Sequence, residues 1–518
     1  MKGSIAVMSK RIVIMTVISA LVLSLLTSCG IITLRDPHGD DAADTSSDVT
    51  TTAPEVTQDT GTADSDKVTT AYKPVEVTDN LPIAKQYLDA LPEWDFEGIG
   101  ISIVTTDRET FSPSGTESVV YNARIERNNM VEDKYNTMVM VTSVDAGTLY
   151  DQLAAAVKAD DYYADIIGLP QNVIGRFQAQ GLLMNLMSLP FTDYTQPYYN
   201  TQAIEQLTAG HAIYGTVGDF NENLDYIYGL FFNRDMAKSL GFDPYAEVYN
   251  GTWDWEAFRR MTIAAASLDG GALIGHGAAV DINTYESILF ASSGIDFFDT
   301  GWGKVPSLDF ASDKTKADAT DRVVRAIRNV LYGDGSVFTD SDGAYSIDGV
   351  GDAFYAGRML FYTDRMYYTS WITDMADNWG LLPFPDNGDG FHSFCDTSFP
   401  IVCVPYGNSN TELTGLFMQA ANAASYGWLD DVFYENLQVN VIRDGDTLNM
   451  LDIISGRRGG EVLFSFAYMF GGQYKYVADA TYGALYSSTA DNITMSTYQQ
   501  AHEKNVESRL AKVFTMLS

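Results

Sequence analysis

The sequence contains little cysteine, little histidine and few basic residues. Only 3 cysteines and 5 histidines occur among 518 residues, and no two histidines stand in an HExxH arrangement. This scarcity excludes a disulfide-stabilised scaffold, a cysteine-rich metal cluster and the common zinc-enzyme motif. The chain also lacks a Walker loop, a GxSxG elbow and a clear GxGxxG motif. We therefore expect no cofactor, no bound metal and no catalytic residues.

Positive charge is scarce as well. The 32 Lys and Arg residues face 68 Asp and Glu residues, which gives a formal net charge of −36. A field of this sign repels phosphate backbones, so nucleic acid is excluded as a partner. Hydrophobic residues make up 46% of the chain, which is enough for a large core, and the length suits about two to four domains.

The longest apolar run lies at the N-terminus. Lys2, Lys10 and Arg11 precede or begin a stretch in which Ile12 to Leu26 form fifteen uncharged, mostly apolar residues. Such a run is short for a transmembrane helix and typical of the hydrophobic region of an export signal. We predict a signal peptide over residues 1–28.

A cysteine follows the apolar run. The segment Leu26-Thr27-Ser28-Cys29-Gly30 resembles a bacterial lipobox, which implies that Cys29 carries lipid; a plain signal peptide with an incidental cysteine is the alternative. Residues 29–78 are rich in Thr, Asp, Ala and Ser, so we predict a flexible linker after the lipidated cysteine. The expected location is the outer face of the cytoplasmic membrane, with membrane contact through the lipid anchor.

Strand and helix patterns alternate from residue 79 onwards. Residues 96–105 and 137–142 have the composition of strands, residues 145–158 place apolar side chains at helical spacing, and residues 164–169 form a short apolar run before Pro170. A strand, a helix and a strand in this order predict a βαβ unit, a parallel sheet and the α/β class.

The C-terminal half continues the alternation. Residues 359–362 and 401–404 are strand candidates, and Ser409 with Glu412 forms a possible capping box before a helix. A last helix is predicted at about residues 497–517, and no internal repeat is present.

A family resemblance rests on six regions in order. They are RNNMVEDKYN at 127–136, DII at 165–167 with GLLMNL at 181–186, AIY at 212–214 with LFFNRD at 230–235, TWDW at 252–255, FYAGRMLF at 354–361 with LPFP at 382–385, and MLDII at 450–454. Together they resemble the extracellular solute-binding proteins of bacterial carbohydrate ABC transporters, family 1, of the maltose-binding-protein type. Residues 301–349 match nothing in that pattern and are a candidate insertion.

The resemblance implies a two-lobed α/β fold, the type II periplasmic-binding-protein-like arrangement, with a hinge between the lobes. The implied boundaries are 79–219 plus 364–425 for lobe one and 225–360 plus 430–518 for lobe two, with crossings near 219–226, 360–365 and 423–430. It further implies a monomer that binds a carbohydrate in the interlobe cleft and delivers it to ABC permease subunits.

Candidate ligand-binding residues follow from sugar chemistry, from position and from the resemblance, which implies polar sugar contacts after residue 170, a stacking aromatic near Tyr285 and a cleft aromatic after residue 364. Planar aromatic rings cover the C–H face of a sugar, and polar or charged side chains bond its hydroxyls. Some candidates follow strand ends or predicted crossings, where open α/β sheets bind ligands. The predicted ligand-binding residues are Gln171, Asn172, Asp219, Tyr285, Glu286, Asp364, Arg365, Tyr367 and Tyr368.

Other candidates are weaker, and each has a structural alternative. Trp371 and the segment 105–107 are further possible contacts. The alternatives are a helix cap for Asn172, a turn or hinge role for Asp219, core packing for Tyr285, and an ion pair between lobes for Arg365. Residues 340–343 have a weak calcium-loop character.

Some questions stay open at this level. Cys395 and Cys403 fit either a disulfide or two buried thiols. An exported glycoside hydrolase lipoprotein and a ligand sensor for a membrane kinase are the alternative functions.

Overall fold

The structure is a computed structural model of the chain. It describes residues 80–115, 118–221, 224–270, 272–440, 444–456, 460–469 and 494–515. Cys29, the predicted signal peptide at residues 1–28 and the predicted linker at 29–78 lie outside these residues.

The strands and helices, numbered here in chain order, alternate along most of the chain. The strands are β1 Gly100–Thr105, β2 Met138–Ser143, β3 Ile166–Pro170, β4 Ala209–Gly210, β5 Tyr228–Asn233, β6 Ile274–Ala278, β7 Phe298–Asp299, β8 Gly301–Trp302, β9 Ser307–Leu308, β10 Met359–Arg365, β11 Trp379–Leu382, β12 Phe391–Phe394, β13 Pro400–Cys403 and β14 Gly460–Leu463. The helices are α1 Leu81–Asp89, α2 Arg108–Phe111, α3 Val119–Tyr135, α4 Ala146–Ala159, α5 Ile174–Ala179, α6 Thr201–Leu207, α7 Arg234–Ser239, α8 Pro244–Tyr249, α9 Trp255–Ala266, α10 Ile282–Ala291, α11 Lys314–Arg328, α12 Val350–Tyr355, α13 Thr411–Ser425, α14 Trp428–Asn440, α15 Gly445–Ile454 and α16 Met495–Thr515.

The first large sheet has the strand order β13-β3-β1-β2. β1 runs parallel to β2 and β3, and β13 is antiparallel to β3. The predicted βαβ unit is therefore confirmed, with boundaries shifted by one to four residues. Ile101, Ile103 and Ile166 are fully buried, so these strands form the centre of a core covered by α3 and α13.

The second large sheet has the order β11-β5-β10-β6. β5 is antiparallel to both β10 and β11, whereas β10 runs parallel to β6. Phe361 packs with Phe232, Trp253 and Phe258 beside this sheet, and Phe231 packs with Tyr362, Tyr368 and Trp379. The aromatic content of 12% is thus used heavily in the core of the second half.

The chain passes between the sheets at places that differ in part from the predicted boundaries. The first passage lies before β5, close to the expected crossing near 219–226. The second comes later than residue 364, because β11 pairs with β5 and the chain returns to the first sheet only at β13. After residue 425, α14 still packs on α3, so the third passage follows α14.

Aspartate begins many of the helices. Seven of them, namely α2, α4, α8, α9, α10, α11 and α15, follow an Asp whose carboxylate accepts a backbone N–H of the first turn. This is the preferred way to satisfy the free donors of a helix start. The capping box predicted at Ser409 is wrong: Asn410 precedes α13 and makes no side-chain cap bond.

Two regions left open by the sequence have a defined structure. The unmatched stretch 301–349 contains α11, whose Val323, Val324 and Ile327 are buried in the core beside the second sheet. Cys395 and Cys403 are both buried, and they form no disulfide with each other. Burial raises the pKa of the Cys403 thiol, so it stays protonated and unreactive.

Candidate functional site

A cavity of about 240 Å³ lies where the carboxyl end of β1 approaches the carboxyl end of β10 and the segment before β5. We call it the cleft cavity. Its lining combines aromatic, acidic and basic side chains: Asp107, Glu109, Tyr121, Arg124, Asp225, Tyr226, Arg365 and Tyr367. Three rings, three carboxylates and two guanidinium groups surround one small space, a composition suited to a ligand with hydroxyl groups and a weakly apolar face.

Asp107 links the two halves of the cleft cavity. It follows β1 and caps α2, and its Oδ1 accepts the Glu109 N–H at 2.9 Å. Its Oδ2 accepts the Tyr226 hydroxyl at 2.8 Å and the Thr110 hydroxyl at 2.7 Å. Burial, with the nearby Asp107 charge as a smaller cause, raises the pKa of Tyr226. The phenol therefore keeps its proton and remains the donor in this bond.

Arg365 brings positive charge to the cleft cavity. Its guanidinium carbon lies 5.8 Å from the centre of the Tyr226 ring. It takes part in none of the ion pairs formed by the described part of the chain. Arg365 therefore does not form the interlobe ion pair that was the alternative to ligand binding. Its planar guanidinium group lines the cleft cavity, where its N–H donors are available to a ligand.

Burial affects the carboxyl groups at this site. It raises the pKa of Asp225 and, at the end of β10, the pKa of Asp364. Arg365 opposes the rise in both groups. Asp364 accepts the Tyr362 hydroxyl at 2.8 Å and the backbone N–H of Arg365 at 2.7 Å. These two bonds fix the Asp364 carboxylate at the end of β10.

Gln171 and Asn172 directly follow β3, and neither lines the cleft cavity. The Asn172 backbone N–H donates to the carbonyl of Thr397 at 3.1 Å, and Asp396 donates its backbone N–H to the Tyr226 carbonyl at 2.8 Å. Gln171 is fully buried, and its Nε2 donates to the Ser465 carbonyl at 2.8 Å. The predicted pair therefore contacts the segment after β12, and Asp396 of the same segment is hydrogen-bonded to Tyr226.

Asp219 lies elsewhere, on the first half of the molecule. Its carboxylate accepts the Gly427 backbone N–H at 2.8 Å, and its own N–H donates to the Tyr198 carbonyl at 3.0 Å. Asp219 is not among the residues that line the cleft cavity. The contacts correspond to the alternative of a structural aspartate at a chain passage.

Tyr285 and Glu286 are placed in the second core. Tyr285 has no exposed surface, and its hydroxyl lies 2.9 Å from His276 Nδ1. Glu286 is 2% exposed, accepts the Tyr332 hydroxyl, and has its pKa raised by burial. Neither side chain lines the cleft cavity, so the alternative of core packing describes Tyr285 in this structure.

The remaining candidates form a short segment after β10. Tyr367 lines the cleft cavity and is 50% exposed. Tyr368 packs its ring 4.7 Å from that of Tyr362 and donates to the Gly351 carbonyl. Trp371 is 60% exposed, and its ring centre is 6.4 Å from that of Tyr367.

Five lining residues were not predicted from the sequence: Glu109, Tyr121, Arg124, Asp225 and Tyr226. Arg124 is 5% exposed on α3, and its Nη1 donates to the Glu109 carbonyl at 3.2 Å. Tyr226 stands at the end of the predicted crossing near 219–226, shortly before the LFFNRD segment at 230–235. That position was the available signal for Tyr226, since cleft ligands bind where the chain passes between sheets.

A larger depression of about 620 Å³ lies beside α7 and α8. Its charged groups are largely paired with neighbours: Arg234 bonds Asp444 at 2.8 Å, and Asp235 accepts the Asn378 backbone N–H at 2.8 Å. The cleft cavity is smaller but offers an unpaired guanidinium and three rings, which makes it the better candidate for a ligand site.

The described ranges show neither a cluster of metal ligands nor a membrane-spanning helix. No group of three or more potential ligands is placed to hold a metal ion there. At residues 340–343, the Asp340 carboxylate accepts the backbone N–H groups of Asp342 and Ala344 in a tight turn. Within the same ranges, none of the helices has both the length and the apolar character needed to cross a bilayer.

Comparison with known proteins shows which solved structures share this fold. No protein-family model and no curated protein matches the chain. Solved structures do match, and three of them, described here, have a TM-score of 0.50. The ABC substrate-binding protein Lmo0181 from Listeria monocytogenes, in complex with cycloalternan, is 13% identical and covers 80% of this chain and 99% of its own.

Two further structures give the same result. The galacto-N-biose-/lacto-N-biose I-binding protein of the Bifidobacterium longum ABC transporter, in complex with lacto-N-biose, is 12% identical, with 81% and 98% covered. UgpB from Mycobacterium tuberculosis, in complex with glycerophosphocholine, is 14% identical, with 81% and 99% covered. The chain therefore has the two-lobed α/β fold of solute-binding proteins, and the predicted fold class is confirmed.

Proposed function

We propose that this protein is a membrane-tethered extracellular solute-binding protein that captures a carbohydrate in the cleft cavity and delivers it to an ABC permease. The observation that carries the proposal is the composition of that cavity, where Tyr226 and Tyr367 stand beside Asp107 and the unpaired Arg365. Rings suit the C–H face of a sugar, and charged groups form strong hydrogen bonds with its hydroxyls.

The shared fold supports this proposal without fixing the ligand. Cycloalternan and lacto-N-biose are carbohydrates, whereas glycerophosphocholine carries a phosphate and a quaternary amine. The carboxylates outnumber the guanidinium groups in the cleft cavity, which disfavours an anionic ligand. A neutral carbohydrate fits the lining best.

Binding without catalysis is part of the proposal. Two of the solved structures above are named as binding proteins, and the cleft cavity lies between two sheets that a ligand would hold together. A ligand that contacts both halves stabilises the closed arrangement by its differential affinity for it.

The predicted anchor completes the proposal. Cys29 after the apolar run supports a lipid anchor on the outer face of the cytoplasmic membrane, and the acidic linker would hold the globular body at a distance from it. Replacing Cys29 with Ser should move the protein from the detergent phase to the aqueous phase in a phase-partition assay.

The ligand experiment is a thermal-shift screen of the purified protein against a panel of neutral, amino and acidic oligosaccharides. Binding raises the melting temperature by mass action on the folded state. Arg365→Ala should abolish the shift, and Arg260→Ala should leave it intact, because Arg260 on α9 does not line the cleft cavity and pairs with Glu247 of α8. Product formation from the binding glycan would instead favour a hydrolase.

A further inference from the structure

A groove of about 430 Å³ lies between α3 and α14, on the first half of the molecule. We call it the helix groove. Residues that line the helix groove do not line the cleft cavity, so it is a separate surface. Its lining includes apolar side chains and two acids: Val119, Ala123, Trp428, Val432, Glu126 and Glu435. An open apolar groove on a soluble protein marks a place where something binds.

The described part of the chain begins beside the helix groove. Asn80, its first residue, donates from Nδ2 to Asp431 Oδ2 at 2.6 Å, and Asp431 lies in the first turn of α14. A Cβ atom on Gly427, just before α14, would lie 3.2 Å from the same Asn80 nitrogen. The residues that precede Asn80 therefore leave from the start of α14, where Trp428 lines the groove.

The helix α1, which follows Asn80, already packs on the apolar residues of the groove. Its Ala84 forms a small buried cluster with Ala123 and Trp428, and Val432 packs against that cluster. From there the groove continues along α14 to Glu435, on side chains spaced four and three residues apart, which lie on one face of a helix. The seat of α1 and the helix groove are therefore one continuous apolar surface.

The sequence before Asn80 suits this surface. Residues 71–79 read AYKPVEVTD. In an extended chain every second side chain lies on the same face, so Lys73, Val75 and Val77 would share one face. Pro74 favours an extended conformation, because proline restricts the backbone of the residue before it. The segment therefore offers two valines to an apolar groove, followed by one positive charge.

Charge and length agree with this match. Glu126 on α3 and Glu435 on α14 are exposed, and neither takes part in the ion pairs formed within the described ranges. From Asp431 to Glu435 the helix rises about 6 Å, whereas the extended chain from Asn80 to Lys73 spans up to about 23 Å. Lys73 can therefore reach either acid.

We propose that residues 73–77 bind along the helix groove in an extended conformation. Val75 and Val77 cover its apolar part, and Lys73 pairs with the acids beside it. The occupant is this chain's own segment, because it is attached at the start of the groove and so has a high effective concentration there. The membrane tether then leaves the globular body from the far end of the groove, which fixes the side of the body that faces the membrane.

Disulfide cross-linking of the detergent-solubilised full-length protein tests the proposal. Val77→Cys is combined in turn with Val432→Cys and with Glu435→Cys, and brief mild oxidation is followed by peptide mass spectrometry. Val49→Cys with Val432→Cys is the matched control, because Val49 lies much earlier in the same predicted linker. Val432→Cys alone controls for reaction with the native cysteines.

At least one Val77 pair should form the intrachain disulfide in roughly fivefold higher yield than the Val49 pair, because its two positions are held together. Equal yields for the Val77 and Val49 pairs would overturn the proposal. A disulfide-linked dimer as the main product would also overturn it, since a second copy would then occupy the groove.

A charge reversal tests the role of Lys73. In the cross-linking background, Lys73→Glu should lower the yield roughly two- to fivefold, since an exposed ion pair is replaced by repulsion. Lys67→Glu is the matched control, because it makes the same change outside residues 73–77, and it should leave the yield unchanged. Equal yields in the two variants would overturn the pairing of Lys73 with the acids of the groove.

Discussion

The Tyr226 hydroxyl donates a hydrogen bond of 2.8 Å to Asp107 Oδ2, and this single contact joins the end of β1 in the first sheet to the segment that enters β5 in the second. Asp107 also caps α2 through its other oxygen. The first sheet and α2 therefore fix the position of Asp107. The hydrogen bond to Asp107 in turn fixes Tyr226, which forms one wall of the cleft cavity.

Removing the donor tests this link. Tyr226→Phe should lower the free energy of unfolding by about 1 kcal/mol, since one partner of a hydrogen bond to a charged acceptor is lost. Urea unfolding at pH 7 measures the change. Tyr367→Phe is the matched control, because it removes a half-exposed phenol that lines the same cavity. Equal losses in the two variants would mean that the Asp107 bond adds nothing to stability.

Arg127 is a buried cation held by carbonyl groups. It has no exposed surface, and its guanidinium donates to the carbonyls of Phe220 and Phe111 at 2.8 and 2.5 Å. Arg127→Met should reduce stability by about 1–3 kcal/mol, because both carbonyls remain buried without that donor. Chemical denaturation measures it, with the exposed Arg260→Met expected within about 0.5 kcal/mol of the wild type.

His276 predicts a pH dependence of stability. Burial lowers the pKa of His276 from 6.5 to about 4. Between these values the unfolded chain binds a proton that the folded chain does not, so stability falls as the pH drops from 6.5 to 4. The loss from this group approaches roughly 3 kcal/mol at the acid end.

Denaturation curves from pH 7 to pH 4.5 check this prediction. His276→Gln should be less stable than the wild type at pH 7 and should show a shallower decline with acid, since its amide does not titrate. His211→Gln is the control, because His211 is exposed and should keep the wild-type slope. A decline in His276→Gln as steep as in the wild type would contradict the assignment.

Gly415 permits a close approach inside α13. A Cβ atom at this position would lie 2.0 Å from the Pro190 carbonyl oxygen. Gly415→Ala should therefore destabilise the protein by about 1–3 kcal/mol, although alanine favours a helix by about 1 kcal/mol. Gly147→Ala in α4 is the comparison, because its nearest contact is the Asp145 side chain at 3.2 Å. That variant should be neutral or slightly stabilised in thermal unfolding.

The sequence predicts the first sheet well and the site in part. The units from β1 to β3 have clear apolar patterns, because every residue of β3 is buried and α4 buries Leu149 and Leu153 on one face. Arg365 and Tyr367 were found because they follow a strand near an expected passage. Tyr226 and Arg124 were not, since one stands in a link without periodicity and the other lies within a helix.

Burial explains the candidates that the structure places away from the cavity. Tyr285 lies in the first turn of α10, next to polar residues in the sequence. Its side chain is nevertheless buried in the second core, and its hydroxyl lies 2.9 Å from His276 Nδ1. Which side of a helix is buried depends on the element that packs against it, and α10 gives a weak amphipathic signal. Likewise, β11 joins the second sheet through pairing with β5, a contact between strands far apart in sequence.

The aspartates that begin seven helices have a practical consequence for protein engineering. A net charge of −36 invites replacement of surface acids by neutral residues, for example to promote crystallisation. At Asp145, Asp254 and Asp313 such a change would remove the acceptor that starts a helix, at about 0.5–2 kcal/mol for each position. Exposed acids away from helix starts, such as Glu93, are the safer positions to neutralise.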